Sequence, residues 1–336
     1  MVILDSIQLP NKPRLADVIG GSGSFVTLGQ RLFATEPARV GCLIIAGEDF
    51  PKDVEATLDN LGITLVVQKR ENALSTRGLL EYEDDTFGPK NFTYTGGPLR
   101  ATVSDLTNTP LLHANAFHFF GTPEEILTQV PELLELRGRH GIEERPLIIW
   151  EPFPAACKAE NLAIFLNACK HVDVFSPNHL ELQALFADGS KRFEQERLEN
   201  HASQILKSGI GVSTDGPEGL IIVRAGEHGA LARKRDEKAI WSPPYYEQAS
   251  PKIVDPTGAG NTFLGGYISG QQVTNSWTQA VSYGHVAASF ALEQIGLPKE
   301  EIKDGVELWN GVSVLERLEE YKARLRNAGV KSECFV

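Results

Sequence analysis

Four short apolar runs recur along this chain with helical patterns around and between them, and that alternation limits the folds open to it more than any other feature. The runs are Cys42–Ala46, Pro146–Trp150, Val172–Phe175 and Leu220–Val223. Each is short enough for a strand and lacks the polar alternation of a strand with one wet face. Helical periodicity falls around residues 51 to 61, 123 to 137, 158 to 170 and 179 to 187. Strands buried on both faces and alternating with helices predict an α/β fold: a mainly parallel central sheet between helical layers.

The stretch from 63 to 104 breaks this rhythm. Ile63–Val67, Arg77–Tyr82 and Phe92–Thr95 are strand-like runs interrupted by Gly, Pro, Asn and Asp, with little helical periodicity. They predict a small β-lid inserted into a single domain spanning 1 to 336. Lys191 to Asn200 predicts a solvated helix face, and Val314 to Asn327 an amphipathic helix packed on the outside.

The net charge of −12 counts against nucleic-acid or membrane-surface partners, which call for clustered Lys and Arg. Cys42, Cys157, Cys169 and Cys334 are scattered and form no CxxC pair, so reduced thiols and no zinc site are expected. There is no basic segment followed by an apolar run at the start and no apolar stretch of about 18 residues, so a cytoplasmic location is expected. The eight histidines show no ligand spacing. GxxxxGK[ST], HExxH and GxSxG are absent, and Phe263 stands where a dinucleotide fingerprint needs Gly or Ala.

Val254-Asp255-Pro256-Thr257-Gly258-Ala259-Gly260-Asn261-Thr262-Phe263 is the segment richest in chemistry. Phe263, Leu264, Tyr267 and Ile268 recur at helical spacing, so the small residues open a helix. Its first N–H groups have no intrahelical partner and lie at the positive end of the helix dipole, where a phosphoryl group fits. The competing reading is that Gly258, Gly260, Gly265 and Gly266 only let a helix lie close to a sheet.

Asp-Pro-Thr-Gly-Ala-Gly-Asn-Thr-Phe resembles the C-terminal signature of the PfkB family of sugar and nucleoside kinases, Asp-Thr-Thr-Gly-Ala-Gly-Asp-x-Phe. The family's second Asp is the base that takes the acceptor's proton, and here that position is Asn261. Pro256, Trp309-Asn310-Gly311 and the run from Ala288-Ser289-Phe290 to Ile295-Gly296 look most like the fungal maintenance-of-killer branch of the family.

Other segments carry the resemblance in the family's order. Ile19-Gly20-Gly21-Ser22-Gly23-Ser24 is similar to the Gly-Gly-x-Gly turn that touches the acceptor, although Ser24 and Phe25 follow where Asn is frequent. Asp5 falls where the family has an Asp closing the first strand. With only four residues before it, either that strand is short or Met1 is not the natural start. Asn178-His179-Leu180-Glu181 resembles the Asn-x-x-Glu motif that organises Mg²⁺ and nucleotide phosphates, and is also a capping-box pattern that needs no ligand. Arg224 to Gly229 matches a Gly-x-x-Gly turn beside the nucleotide. Glu151-Pro152-Phe153-Pro154 replaces a more usual Asp-x-Asn-x-Arg.

The resemblance implies a ribokinase-like αβα sandwich with a β-lid. It assigns catalysis to Asn261, Gly258, Ala259 and Gly260, and acceptor binding to Asp5, Gly20 and Gly21. Nucleotide binding falls to Asn178, Arg224, Gly226, Gly229, Asp255 and Thr257, and the metal to Glu181 and Asn178. The implied cofactors are ATP and Mg²⁺, with a monovalent cation as a further candidate. The implied partner is a small-molecule alcohol, and the chain would be a monomer or a homodimer formed through the lid. Two functions fit these residues: a kinase slowed by Asn261, and a catalytically silent module that binds nucleotide or sugar.

Overall fold

The computed structural model describes residues 1–84, 90–190, 192–211, 219–248 and 250–328. They form two compact units, one comprising Met1–Ala101 and Tyr245–Val336, the other Thr102–Pro244.

The first unit begins with β1 (Ile3–Gln8), β2 (Leu15–Gly20), α1 (Ser22–Arg31), β3 (Gly41–Ala46), α2 (Lys52–Asp59), β4 (Thr64–Lys69), β5 (Arg77–Tyr82) and β6 (Lys90–Tyr94). Four of these strands make a sheet of order β2-β1-β5-β6, in which β1 runs parallel to β5 and the outer pairs are antiparallel. Ile7, Leu9, Leu80 and Tyr82 form its buried apolar cluster. Two of the three runs expected in the lid therefore lie here, with β1 and β2. The third, Ile63–Val67, supplies β4, which pairs in parallel with β3. A strand–helix–strand crossover through α2 places β4 beside β3 rather than in a meander. Residues 85–89 of the expected lid lie outside the described residues.

The second unit contains β7 (Ala116–Gly121), α3 (Pro123–Arg139), β8 (Leu147–Pro152), α4 (Leu162–Ala168), β9 (Val174–Phe175), α5 (His179–Leu185), α6 (Gln195–Lys207), β10 (Leu220–Arg224), β11 (Ala230–Lys234) and β12 (Ile240–Ser242). Its sheet has the order β12-β11-β10-β9-β8-β7, parallel from β7 to β10 and antiparallel beyond. Ile148, Trp150, Phe165, Phe175, Leu182, Ile221 and Val223 anchor its core, with the Trp150 and Phe165 rings stacked at 5.1 Å. β9 starts two residues later than its apolar run. Before it, the Asp173 carboxylate accepts the Ile148 N–H at 2.7 Å in place of a backbone carbonyl. The charged segment after Lys191, itself outside the described residues, leads into α6, which buries Leu198, Ala202, Ile205 and Leu206.

The first unit closes with α7 (Ala259–Thr274), α8 (Trp277–Leu292), the hairpin β13 (Glu300–Lys303) and β14 (Val306–Trp309), and α9 (Val314–Asn327). α7 packs against α1 and α8. α9 buries one face on α8, with the Arg317 guanidinium 3.7 Å from the centre of the Phe290 ring and 3.0 Å from Glu293 Oε1. Among the described residues no helix is long and apolar enough to cross a membrane.

Candidate active site

The glycines around the helix opening divide between the two roles that the sequence left open. Gly265 is a packing residue, but against a helix rather than a sheet: a Cβ there would stand 2.1 Å from the Val26 carbonyl oxygen, so α1 and α7 meet backbone to backbone. Gly258 has a different part. It is the N-cap of α7 in the left-handed conformation, φ 78° and ψ −10°, which costs an L side chain strain. The Thr262 N–H and hydroxyl donate to its carbonyl at 2.8 and 3.0 Å. Gly258, Ala259, Gly260 and Asn261 are partly exposed, whereas Thr262 and Phe263 behind them are buried. The start of α7 is thus partly exposed and rests on a buried support, and its Ala259 N–H donates to the Pro256 carbonyl at 3.3 Å.

Asp255 braces this turn. Its Oδ1 accepts the Thr257 N–H at 2.9 Å and the Thr257 hydroxyl at 2.6 Å. The Tyr82 hydroxyl, from the end of β5, lies 3.1 Å from the same oxygen and 3.0 Å from Thr257 Oγ1. Burial, with the nearby Asp255 charge, pushes the Tyr82 phenol above its ordinary range, so it stays protonated and able to donate. Asp255 and Thr257 therefore hold the turn's shape through their own side chains. Tyr82 escaped sequence analysis: its burial beside Leu80 follows from strand alternation, but its partners stand 173 and 175 residues away.

Asp5 lies in the middle of β1 rather than at its end, opposite Val18 on β2 and Gly78 on β5. Its carboxylate rests against two glycines, since a Cβ on Gly20 would stand 1.8 Å from Oδ2 and one on Gly78 2.4 Å from Oδ1. Gly21 is the N-cap of α1, and the Ser24 hydroxyl donates to the carbonyls of Gly20 and Gly21. Phe25 is buried with its ring against Gly258. Asp5, Gly20, Phe25 and the turn at the head of α7 therefore belong to one unit.

The second unit carries a separate polar cluster. Asn178 caps α5: its Oδ1 accepts the Glu181 N–H at 2.8 Å, and Glu181 Oε2 accepts the Asn178 N–H at 2.7 Å. The capping box is thus formed in full. Glu181 is also buried, and that burial pushes its carboxyl up to about 7, with Arg224 pulling it back. Arg224, at the end of β10, puts Nη1 2.8 Å from Glu151 Oε1 and Nη2 3.8 Å from Glu181 Oε2. Its Nη2 also donates to the Ser176 carbonyl at 3.0 Å. Glu151 Oε2 in turn lies 3.1 Å from His118 Nε2. Arg224 is therefore committed to a buried network rather than exposed at a strand end. Gly226 and Gly229 bound the short turn between β10 and β11. Burial also raises the Cys157 thiol, to about 12, so it is no nucleophile at neutral pH.

No group of three or more His, Cys, Asp or Glu side chains stands ready to hold a metal among the described residues. Glu181 nonetheless fits a magnesium role of a particular kind. With Oε2 engaged in the cap, its carboxylate has Oε1 left to meet a hydrated cation, and Mg²⁺ is usually held through one or two carboxylates, water and phosphate oxygens. A cation there would also offset the burial that raises this carboxyl.

The sequence is 30% identical to an uncharacterized protein of Schizosaccharomyces pombe, over 96% of this chain and 91% of the other. It is 28% identical to Protein MAK32 of Saccharomyces cerevisiae, over 96% and 90%. Among solved structures, a putative ribokinase II from E. coli in complex with ATP and Mg²⁺ superposes with a TM-score of 0.66 over 96% of this chain and 97% of that one, at 16% identity. The fold is thus ribokinase-like, a mixed α/β architecture with a mainly parallel central sheet. The model of the pfkB family of carbohydrate kinases matches residues 9–301. With a match over that much of its length, the chain belongs to the PfkB family of carbohydrate kinases.

Proposed function

We propose that this protein is an ATP-dependent phosphotransferase acting on a hydroxyl of a small sugar- or nucleoside-like substrate, slowed by the amide at position 261. The observation that carries this reading is the turn at the head of α7: Gly258 in its left-handed cap, braced by Asp255 and Thr257, opens that helix in the same unit as Asp5 and Gly20. In the proposed reaction the backbone from Gly258 to Asn261 stabilises charge on the transferring phosphoryl group. Asp5, Gly20 and Gly21 hold the acceptor. Asn178, Arg224, Gly226 and Gly229 are assigned to the nucleotide, and Glu181 to Mg²⁺, which neutralises phosphate charge when bound. A monovalent cation beside the turn and a cytoplasmic setting belong to the same reading, as does a monomer or a homodimer formed through the four-stranded sheet acting as a lid.

Asn261 cannot take a proton near neutral pH. Losing a positioned base costs roughly 10²- to 10⁴-fold, but phosphoryl transfer relies mostly on positioning and electrostatics. Slow turnover survives such a loss. The same amide supports a second reading, a catalytically silent module that binds nucleotide or sugar. Calorimetry with ATP and Mg²⁺, followed by turnover against sugars and nucleosides, tests both. Nucleotide binding with measurable phosphoryl transfer supports the kinase, and binding without transfer supports the module. Absence of binding at millimolar nucleotide contradicts the kinase and a nucleotide-binding module alike.

A further inference from the structure

The Tyr82 hydroxyl connects two features that the sequence keeps far apart. β5 carries Gly78, which pairs with Asp5 of β1, and four residues later carries Tyr82, whose hydroxyl reaches Asp255 Oδ1 and Thr257 Oγ1. The sheet that holds the Asp5 side of the unit therefore also touches the brace of the anion turn. Tyr82 is buried in the small cluster of Ile7, Leu9 and Leu80, so its ring is fixed by packing and its hydroxyl is delivered to one place.

We propose that Tyr82 is a positioning residue for the anion turn: its hydroxyl holds the Asp255–Thr257 brace in the shape that binds phosphate, and ties that shape to the four-stranded sheet carrying Asp5. The geometry supports this over a purely packing role. Among the described residues, Asp255 Oδ1 accepts from the Thr257 N–H, the Thr257 hydroxyl and the Tyr82 hydroxyl, and the last of these comes from outside the turn. Removing it leaves the ring's burial intact while the brace loses its anchor to the sheet. The proposal rests on the phosphate-binding reading of the turn, and its test separates the two.

Tyr82→Phe deletes the hydroxyl alone. Isothermal titration with ATP and Mg²⁺ should show affinity about ten-fold weaker than wild type, the scale of a lost hydrogen bond to a charged group. Tyr94→Phe, on the neighbouring β6, is the control and should bind as wild type does. Hydrogen exchange of the segment 254–263 supplies a readout that needs no ligand. Its amides should exchange faster in Tyr82→Phe, because the turn opens locally more often. Should wild type bind no nucleotide, the phosphate reading fails, while faster exchange in the variant still supports the Tyr82 anchor. Wild-type affinity together with unchanged exchange in Tyr82→Phe overturns the proposal. If Tyr82→Phe does not fold, hydrogen exchange of the wild type in low urea decides: segments 77–82 and 254–263 losing protection together supports the anchor, and 254–263 opening independently of 77–82 overturns it.

Discussion

The Phe25 ring lies so close to Gly258 that a Cβ at Gly258 would stand 2.3 Å from its carbons. Two constraints meet at this position: the backbone is left-handed, and the space above it is filled by a buried aromatic side chain. The backbone-to-backbone approach of α1 and α7 lies further along, at Gly265 and Val26.

Substitutions at these two glycines should therefore separate function from stability. Gly258→Ala combines positive-φ strain with a clash, and is expected to cost about 2 kcal/mol or more and to distort the turn, so that nucleotide binding falls beyond what the stability loss explains. Gly265→Ala is expected to cost a similar amount by pushing α1 from α7. Its folded fraction should bind nucleotide normally. Urea unfolding and nucleotide titration of both variants check this, and equal binding losses in the two would oppose the division of roles.

Glu181 is at once a cap and a buried carboxylate. Glu181→Gln keeps a side chain suited to the capping box and removes the charge. The expected result is unchanged fold stability within about 1 kcal/mol, with weaker Mg²⁺-dependent ATP binding. Parallel Mg²⁺ titrations of wild type and variant decide the matter, and superimposable curves would leave Glu181 as a cap alone.

Most of the parallel architecture was legible in the sequence, because strands covered on both faces are continuous apolar runs and stand out from their surroundings. β1 and β2 were less so: Ile-Leu-Asp-Ser-Ile-Gln and Leu-Ala-Asp-Val-Ile-Gly interrupt their apolar residues with Asp, and only the parallel partner β5 shows which sheet they join. The opening of α7 at Gly258 was readable because the small residues and the apolar spacing behind them lie in consecutive residues. The Tyr82–Asp255 contact and the Arg224–Glu151–His118 network were not, since each is assembled from separate strands and loops. Asn178 and Glu181 were visible as a pair, but one spacing serves cap and metal alike, and the structure shows the cap formed.

Acid should destabilise the protein through His285. This residue is buried between Phe263 and Tyr321, and burial pushes its imidazole down to about 3. In the unfolded chain it titrates near its ordinary value of about 6.5. Its folded form is neutral, so it has no effect on stability above about pH 6.5. Below that the unfolded chain takes up a proton that the folded one refuses, and stability is lost progressively toward pH 3. Between pH 6.5 and 5 the loss should be about 2 kcal/mol. Urea unfolding at pH 7.5 and 5 should show a smaller loss in His285→Gln than in wild type, and equal losses would exclude His285 as the source.

Asn261→Asp tests the central claim most directly. The change is nearly isosteric and restores a proton acceptor in the first turn of α7, where the surrounding residues are already partly exposed. Asp255 stands nearby in sequence and is buried, so unfolding is followed in parallel to show that the added charge leaves the fold intact. Phosphoryl transfer from ATP to a sugar and nucleoside panel is then measured for wild type and variant. The account predicts a rise of on the order of 10²- to 10⁴-fold in turnover, the usual worth of a positioned base. A folded, ATP-binding Asn261→Asp protein that stays inert toward every acceptor would contradict it.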